Sequence, residues 1–454
     1  MGKYFGTDGI RGVVGERGAM NEALDARLAY RTGLAAGSIL TSKRGGKKPH
    51  VIIAKDTRIS GDLFECALSS GLSSAGADVT LLGVLPTPAV AYLTVKDGYD
   101  MGVVISASHN PYEHNGIKLF GYDGFKLSDA TEELIENLID GDVAMAQNHE
   151  LGRVTHDFEN RSAGEYVDYL AKSLSEHYGG RIAIDCANGA ASATARELFT
   201  KIGVDFEIIA DEPDGLNINL NCGSTYIGNL QKMVKAGRFD IGFAFDGDAD
   251  RCLVVDENGE IVDGDMLLAV LARDMNAGRT LKNGAMVGTV ISNSGMDAFA
   301  EQNGLTFCRA AVGDRNVLEK MQEIGSNLGG ESSGHMIFLD EATTGDGQLT
   351  AVKLLGVLAK TGKTISELTR DIPRFPQVSL NFRLTDGAAQ RERIMESAKL
   401  QEEIERQKAQ LAKSGTVLIR PSGTEPLIRV LVEAKTEEIA REKAQYFIDM
   451  MASL

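Results

Sequence analysis

A pattern of strand, helix and strand recurs three times along the chain and limits its possible folds more than any other feature. In each copy, an apolar run is followed by a small polar loop, an amphipathic stretch, a glycine and a second apolar run. The copies begin at HVIIAKDTRIS (50–60), RIAIDCANGAAS (181–192) and AMVGTVISNSG (285–295). This order is that of the βαβ unit, whose parallel strands carry helices on the sheet faces. The sequence therefore predicts three topologically similar α/β domains with parallel or mixed sheets, although an α/β protein without internal duplication also contains such units.

The last part of the chain follows a different pattern. PRFPQVSLNF (373–382) indicates a linker that leads into a strand, and residues 386–414 form a highly charged stretch with helical periodicity. TVLIRPSGTEPLIRVLVEA (416–434) predicts two strands around a turn, and EEIAREKAQYFIDMM (437–451) predicts a closing helix. At 454 residues the chain also exceeds a single core of ordinary size. We therefore predict a smaller C-terminal α+β domain after the α/β domains, with the four domains covering residues 1–155, 156–256, 257–372 and 373–454.

The charge of the chain argues against several classes of partner. Forty-seven basic residues face 64 acidic ones, and the formal charge of −17 disfavours a large contact with nucleic acid or an anionic membrane. An anionic small molecule would need a local group of Arg, Lys, backbone N–H groups or a metal ion. The first residues, MGKYFGTDGIRG, lack the pattern of a signal peptide, and no apolar run approaches the ~18 residues of a membrane span. We therefore expect a cytoplasmic protein that binds neither nucleic acid nor membranes.

Carboxylates stand at alternate positions in DGDADR, Asp246 to Arg251, directly after the strand-like run IGFAF. In an extended loop, alternate side chains point the same way, and converging carboxylates suit Mg²⁺. An EF-hand calcium loop is one alternative, but Arg251 occupies the position that requires glycine. A solvated acidic loop is another, and it would leave carboxylates that repel one another beside a buried strand. We therefore predict that Asp246, Asp248 and Asp250 bind a metal ion.

The stretch ISASHNP (105–111) follows another apolar run and contains two serines and a histidine. A hydrolytic Ser-His pair is disfavoured, because adjacent Ser108 and His109 project in different directions and no G-x-S-x-G elbow is present. A serine that faces a Mg²⁺ site and a phosphate-binding loop could instead carry a phosphoryl group as a covalent intermediate. Asn110 and Pro111 favour a turn that would fix this serine at the end of the strand.

Two further loops contain groups that could bind a sugar phosphate. RPSGTEPLIR (420–429) combines two arginines with a Ser-Gly-Thr turn, a set of donors that suits a phosphate monoester. The alternative is an ordinary hairpin turn, because Pro, Ser and Gly are also common turn residues. GGESSGH (329–335) offers a carboxylate, two hydroxyls and an imidazole, which together could hydrogen-bond several sugar hydroxyls.

These four motifs, in their order along the chain, resemble those of the α-D-phosphohexomutase family, and the resemblance covers essentially the whole chain. SASHNP matches the family's serine motif, DGDADR its metal loop, GESSGH its sugar loop and RPSGTEP its phosphate loop. The resemblance implies three similar α/β domains and a smaller fourth domain around a central cleft. Tyr226, Asn316 and Ser332 depart from the family pattern. Four further stretches are most similar to members that act on glucosamine phosphates: FGTDGIRG (5–12), GLNINLNCGST (215–225), VGDR (312–315) and TTGDG (343–347).

The resemblance also implies a role for individual residues. Ser108 is the expected phosphorylated serine, Ser106 is not, and the phosphate would bind one Mg²⁺ ion per chain together with the three aspartates. The other expected catalytic residues would neutralise transferred charge or assist proton transfer: Arg11, Lys118, His109 and His335. The expected substrate-binding residues contact the sugar hydroxyls or the phosphate that is not reacting: Arg251, Glu331, Ser333, Arg420, Ser422, Gly423, Thr424 and Arg429.

The implied reaction is an intramolecular phosphoryl transfer on a small-molecule sugar phosphate. Phospho-Ser108 would phosphorylate O1 of glucosamine 6-phosphate, and the hexosamine 1,6-bisphosphate would turn around and return its 6-phosphoryl group to the serine. A phosphomannomutase or phosphoglucomutase is the nearer alternative. A non-catalytic sugar-phosphate sensor is the remote one, and it is disfavoured because a sensor does not need a phosphoryl carrier. The sequence leaves the oligomeric state open, with a homodimer as one expected assembly.

Overall fold

The chain folds into three α/β domains followed by a smaller domain of helices and an antiparallel sheet. The predicted fold class is thereby confirmed. The computed structural model describes residues 2–6, 8–16, 23–43, 47–385, 387–411, 414–422 and 427–454.

The first domain is a mixed sheet with helices on both faces. Its strands are β1 (Phe5–Gly6), β2 (Gly9–Val13), β3 (His50–Lys55), β4 (Asp78–Val84), β5 (Met101–Ile105), β6 (His114–Gly121) and β7 (Val154–His156). Its helices are α1 (Ala26–Lys43), α2 (Gly61–Ser74), α3 (Thr87–Lys96) and α4 (Asp129–Ile139). The strand order is β1-β2-β6-β5-β3-β4-β7. Val51 and Ile53 of β3 share a core with α1 and α2, whereas Ile52 and Ala54 share one with α3. Residues 51–54 of the strand are all apolar and buried because both sheet faces are covered.

The second and third domains are smaller mixed sheets. The second domain contains α5 (Arg161–Lys172), β8 (Arg181–Asp185), α6 (Ala195–Lys201), β9 (Asp205–Ile209), α7 (Gly228–Gly237), β10 (Ile241–Phe245), β11 (Cys252–Asp256) and β12 (Ile261–Val262). The third contains α8 (Gly264–Ala277), β13 (Ala285–Thr289), α9 (Gly295–Asn303), β14 (Thr306–Ala310), α10 (Asp314–Ile324), β15 (Leu328–Gly330), β16 (Met336–Phe338), α11 (Gly347–Thr361) and α12 (Ile365–Thr369).

One strand arrangement is common to these three domains. In each, a first strand pairs in parallel with a second and a third, and the third pairs antiparallel with a fourth. The resulting orders are β6-β5-β3-β4, β11-β10-β8-β9 and β16-β15-β13-β14. The first two strands and the helix between them are the three βαβ units of the repeated sequence pattern. The repetition in the sequence therefore corresponds to a repeated topology.

The fourth domain has a core of its own. Its elements are β17 (Gln377–Arg383), α13 (Gly387–Met395), α14 (Ala398–Leu411), β18 (Val417–Pro421), β19 (Leu427–Glu433) and α15 (Glu437–Ala452), with the antiparallel strand order β17-β19-β18. Val430 and Phe447 lie in this separate core. By contrast, one continuous core joins the first three domains, from Val104 through Phe243 to Leu355. A domain with a separate core can move without exposing apolar surface that belongs to the others.

The predicted domain limits after residues 155, 256 and 372 stay predictions. The second sheet extends beyond residue 256, because Ile261 and Val262 of β12 pair with Val255 and Val254 of β11. Among the described residues, no helix is long and apolar enough to cross a membrane.

Candidate active site

Three of the sequence motifs occupy the same connection in the three similar domains. The serine motif joins β5 to β6, DGDADR joins β10 to β11, and GESSGH joins β15 to β16. Each motif therefore lies between the third strand and the antiparallel fourth strand of its domain. The loops also meet in space: Ser108 contacts Asp246, and Arg251 forms a β-bridge with His335. The repeated topology thus brings one loop from each domain to a single site.

Ser108 is buried and points at the aspartate loop. Its backbone is left-handed, with φ 53°, and its hydroxyl donates a hydrogen bond of 2.6 Å to Asp246 Oδ2. The same hydroxyl lies 3.4 Å from His109 Nδ1. Burial and the nearby Arg251 and Arg11 lower the pKa of His109 to about 4. The serine oxygen therefore faces a carboxylate and an imidazole that is neutral near pH 7.

The three predicted metal ligands form one buried cluster. Asp246, Asp248 and Asp250 are 0%, 0% and 4% exposed, and they offer carboxylate oxygens within 4.8 Å of one another. The alternative of a solvated acidic loop is therefore wrong. Burial and repulsion from Asp250 and Asp248 raise the pKa of Asp246 well above its usual range. For Asp250, burial alone would raise the pKa, but Lys118 and His335 outweigh it and hold the pKa below its usual range.

The carboxylate oxygens of this cluster are ligands that suit Mg²⁺. Asp248 Oδ1 and Asp250 Oδ1 are buried and have no hydrogen-bond partner among the described residues. Leaving carboxylate oxygens buried without a partner is costly, and a hard cation that prefers oxygen ligands would remove that cost. The cluster could therefore hold a metal ion.

Two cations border the cluster. Lys118 is buried, with its Nζ 2.7 Å from Asp248 Oδ2, 3.4 Å from Asp8 Oδ2 and 3.6 Å from Asp250 Oδ2. Burial alone would lower the pKa of Lys118, but these carboxylates raise it above its usual value. The charged ammonium group favours charge neutralisation, one of the two predicted roles of Lys118, over accepting a proton. Arg11 pairs with Asp8 beside it.

His335 is held by the TTGDG stretch (343–347). Its Nε2 accepts a hydrogen bond of 3.0 Å from the backbone N–H of Gly345, and its Nδ1 lies 3.6 Å from Asp250 Oδ2. A Cβ atom at Gly345 would lie 2.5 Å from the ring, so the absence of a side chain there makes room for the imidazole. The acceptor role of Nε2 places the ring proton on Nδ1, facing the aspartate cluster.

Glu331 and Ser333 are the two residues of the sugar loop that are expected to bind the sugar hydroxyls. Glu331 Oε1 accepts a hydrogen bond of 3.1 Å from the backbone N–H of Gly313. The Ser333 hydroxyl is buried and has no hydrogen-bond partner within the described part of the chain. Its capacity to bond a ligand hydroxyl is therefore available. Arg251 is electrostatically coupled to Asp250, Asp246 and Glu331, so it connects the aspartate loop with the sugar loop.

The fourth domain places two arginines opposite each other. Arg420 of β18 and Arg429 of β19 are direct cross-strand partners. Burial and Arg429 lower the pKa of Arg420, while Glu331 of the sugar loop acts in the opposite direction. Two like charges at paired positions are unfavourable unless an anion lies between them. Ser422 is buried at the end of β18, whereas the predicted Gly423 and Thr424 lie outside the described residues.

Four residues near the site were not predicted from the sequence. Thr87 donates a hydrogen bond of 2.6 Å to Asp248 Oδ2. Lys126 forms ion pairs with Asp8 of the first domain and Asp314 of the third, and so connects the two domains. Asp8 and Asp314 do lie within the TDGIR and VGDR stretches, but nothing in the sequence indicates that they share a lysine.

Asp346, in the same stretch as Gly345, leads to a prediction about stability. It caps α11 by accepting from the backbone N–H of Leu349 at 2.9 Å, and it accepts from the Tyr166 hydroxyl at 2.8 Å. Burial raises its pKa to about 7. An unfolded aspartate ionises near pH 4, so between about pH 4 and 7 the folded state binds more protons and stability falls as pH rises. Asp346→Asn removes the ionisable group and with it this pH-dependent part of the free energy of unfolding. Asparagine is an equally good helix cap.

We therefore expect the melting temperature of Asp346→Asn to fall less than that of the wild type between pH 5 and pH 8. Thermal unfolding at both pH values measures the difference. Thr436→Asn, at the N-cap of α15, is the control: neither threonine nor asparagine ionises, so this variant should retain the slope of the wild type. Equal slopes for Asp346→Asn and the wild type would contradict the assignment.

The arrangement as a whole suits one kind of chemistry. A buried serine hydroxyl faces a carboxylate cluster that could hold a metal, and Lys118 and Arg11 lie beside it. Cations placed around a nucleophilic oxygen stabilise the charge of a phosphoryl group in transfer. The fold and the site therefore define a phosphoryl-transfer enzyme.

Comparisons with known proteins place this enzyme in a family. Models of the phosphoglucomutase/phosphomannomutase alpha/beta/alpha domains I, II and III match residues 2–144, 164–259 and 263–375, and the model of the C-terminal domain matches residues 380–450. The chain is 46% identical over 454 residues to the phosphoglucosamine mutase of Shouchella clausii (strain KSM-K16), covering 99% of each chain. The chain belongs to the phosphoglucomutase/phosphomannomutase family. The predicted class, a phosphohexomutase among the isomerases, is thereby confirmed.

Solved structures have the same fold over nearly the whole chain. A phosphoglucomutase/phosphomannomutase family protein from Burkholderia thailandensis superimposes with a TM-score of 0.80 at 25% identity, covering 98% of this chain and 97% of the other. The N-acetylphosphoglucosamine mutase of Aspergillus fumigatus, in complex with GlcNAc-6P and magnesium, gives 0.67 at 20% identity, covering 98% and 95%.

Proposed function

We propose that this enzyme interconverts glucosamine 6-phosphate and glucosamine 1-phosphate through phosphorylated Ser108 and glucosamine 1,6-bisphosphate, in the synthesis of UDP-N-acetylglucosamine. The observation that carries the proposal is the Ser108 hydroxyl, which lies 2.6 Å from Asp246 in a buried carboxylate cluster. The amino-sugar substrate is supported by the 46% identity to a phosphoglucosamine mutase over 454 residues.

In the first transfer, O1 of glucosamine 6-phosphate attacks the phosphorus of phospho-Ser108. The bond between phosphorus and Ser108 Oγ breaks, the O1 hydroxyl loses its proton, and the leaving Ser108 Oγ takes up a proton. Lys118 and Arg11 stabilise the negative charge on the phosphoryl oxygens, which contributes most to catalysis because little other chemistry is required. The neutral His109 ring can hydrogen-bond the serine oxygen without adding charge to the site.

In the second transfer, the bisphosphate has turned so that its 6-phosphoryl group faces Ser108. Ser108 Oγ attacks that phosphorus and loses its proton, and O6 leaves and takes up a proton. The sugar stays bound through Glu331 and Ser333, while Arg420 and Arg429 bind the phosphate that is not reacting. Because the fourth domain has its own core, it can loosen for this turn while the other domains keep the serine in place.

Asp246, Asp248 and Asp250, together with the phosphate on Ser108, are the groups that would hold Mg²⁺. When bound, Mg²⁺ supplies Lewis-acid neutralisation of charge on the phosphoryl oxygens. Magnesium is present in the solved A. fumigatus structure, whose fold is the same. The three carboxylates and the serine come from the second and first domains, so the site requires both domains to be in contact.

The proposed function is tested by kcat/KM on glucosamine 6-phosphate beside the glucose and mannose phosphates, with the Mg²⁺-loaded, phosphorylated enzyme. Mass spectrometry of the peptide that contains Ser108 reports the phosphoserine. We expect the highest kcat/KM for the amino sugar. A higher value for glucose or mannose phosphates would identify a phosphoglucomutase or phosphomannomutase instead, and the absence of turnover on all of them would contradict a mutase.

Arg420→Ala tests the phosphate loop. Loss of a charge-assisted hydrogen bond to the non-reacting phosphate costs about 1.5–3 kcal/mol, so we expect KM to rise roughly tenfold to a hundredfold. The value of kcat should change much less, because this phosphate is bound equally in the ground and transition states. Steady-state kinetics on glucosamine 6-phosphate measures both.

Arg441→Ala is the matched control for Arg420→Ala. Arg441 lies in the same domain, where its guanidinium is exposed and bonds Glu437 one helical turn away. It should leave KM unchanged. If Arg420→Ala lowered kcat and left KM at the value of the wild type, Arg420 would not belong to a phosphate-binding loop.

A further inference from the structure

The serine motif contains a second serine that the proposed chemistry does not use. Ser106 is fully buried. Its hydroxyl donates a hydrogen bond of 2.6 Å to Asp56 Oδ2 and accepts one of 2.9 Å from the backbone N–H of Ser108. Both partners are groups of the protein itself. The hydroxyl therefore connects Asp56 with the peptide unit of the residue that carries the reacting oxygen.

Asp56 is itself held by Arg58, and both belong to the DTR stretch after β3. Arg58 Nε lies 3.0 Å from Asp56 Oδ2, and both side chains are fully buried. The Arg58 guanidinium also donates to the carbonyl oxygens of Ser108 at 2.8 Å and Asn110 at 2.9 Å. The serine loop is thus bound on its N–H side through Ser106 and on its C=O side through Arg58.

Residues of the second domain also hold the serine loop in place. Asn219 Nδ2 donates to the carbonyl oxygens of Ser108 at 2.9 Å and Asn110 at 3.0 Å. A Cβ atom at Gly247 would lie 2.4 Å from the Ser108 carbonyl oxygen, so the aspartate loop also approaches this peptide closely. These contacts hold Ser108 at φ 53°, a left-handed conformation that costs a non-glycine residue free energy. Such a conformation persists only where the surroundings impose it.

We propose that Ser106 is a positioning residue for phosphoryl transfer: with Asp56 and Arg58 it holds Ser108 in the conformation that directs Oγ at the aspartate cluster. The inference rests on the proposed function, since it takes Ser108 as the phosphoryl carrier. The carrier oxygen is the leaving group in one transfer and the nucleophile in the next. It must therefore occupy the same place in both, and a fixed backbone provides this.

The test compares Ser106→Ala with Ser106→Thr, which keeps the hydroxyl. In Ser106→Ala we expect kcat to fall about tenfold to a hundredfold, the effect of a small displacement of a reacting group, with KM changing less than about twofold. The rate at which glucosamine 1,6-bisphosphate phosphorylates Ser108 in a single turnover should fall by the same factor. In Ser106→Thr most of the activity should return.

Ser69→Ala is the matched control. Ser69 is a buried serine of α2 whose hydroxyl bonds the Cys66 carbonyl oxygen within the helix. Its loss should lower the melting temperature and leave kcat unchanged. The inference is overturned if folded Ser106→Ala has the kcat of the wild type, if Ser69→Ala loses as much kcat, or if Ser106→Thr is as slow as Ser106→Ala.

Asn219→Gly tests the positioning of Ser108 if Ser106→Ala does not fold. Asn219 has φ 58°, which glycine adopts freely, so this change removes the amide donor without backbone strain. We expect kcat to fall about threefold to tenfold, because Arg58 still bonds the same carbonyl groups. An unchanged kcat would overturn the inference. Turnover by Ser108→Ala would instead refute the proposed phosphoserine function itself, so the two failures are distinguishable.

Discussion

Replacing Ser108 with alanine should lower kcat at least about a thousandfold, the order found when a covalent nucleophile is removed from an enzyme. Without the hydroxyl, no phosphoryl group can be stored between the two transfers. The fold should remain, because alanine removes only one buried oxygen. Serine and alanine both have a Cβ atom, so the left-handed backbone at this position costs the two variants a similar free energy. Steady-state turnover on glucosamine 6-phosphate, the melting temperature and the phosphate content of the protein measure these effects.

Ser69→Ala serves as the control here too, because Ser69 lies in the same domain but outside the site. It should turn over and become phosphorylated like the wild type. If folded Ser108→Ala retained turnover, the covalent step would be wrong and a direct transfer between two sugar phosphates would have to replace it. If Ser108→Ala were inactive but still phosphorylated, the carrier would be another residue.

The position of each motif within its own domain follows in part from features that are visible in the sequence, whereas the meeting of the three loops depends on how the domains pack. The serine motif follows the apolar run MGVV and DGDADR follows IGFAF, and the carboxyl ends of parallel strands lie at one edge of a sheet, whereas no apolar run precedes GGESSGH. The alternation of Asp246, Asp248 and Asp250 predicted a common direction for their carboxylates in an extended loop. The loop is instead a turn, with Ala249 left-handed at φ 57° and its N–H bonded to the Asp246 carbonyl oxygen, and this turn brings the carboxylates within 4.8 Å of one another. Local spacing was sufficient here because all three ligands belong to one short loop.

The supports of the site could not be predicted in this way. Arg58, Asn219 and Lys126 are distant in sequence from the groups that they bind, and their partners depend on how whole domains pack. The DTR stretch after β3 contained a signal, since a charged pair directly after a buried strand needs partners. That signal does not identify the carbonyl groups of Ser108 and Asn110, which become neighbours of Arg58 only when β3 and β5 pair.

Asp246→Asn should separate the stability of the metal-free protein from its activity. Burial and the neighbouring carboxylates disfavour the charge on Asp246, so neutralising it should raise the melting temperature of the metal-free protein. With a ligand lost, several kcal/mol of charge stabilisation in the transition state should disappear, and kcat should fall by about three orders of magnitude.

The decisive readout is the rise of the melting temperature on adding Mg²⁺. In the wild type, an ion that binds only the folded state raises the melting temperature, whereas in Asp246→Asn we expect the metal-free protein to melt higher and the rise to shrink. Asp256→Asn is the control, since Asp256 is also buried but bonds the backbone N–H groups of Asn258 and Glu260 in a turn. It should lose stability equally with and without Mg²⁺. An unchanged rise in Asp246→Asn would mean that Asp246 is not a metal ligand. The metal would then have to bind through Asp248 and Asp250, whose Oδ1 atoms have no hydrogen-bond partner among the described residues.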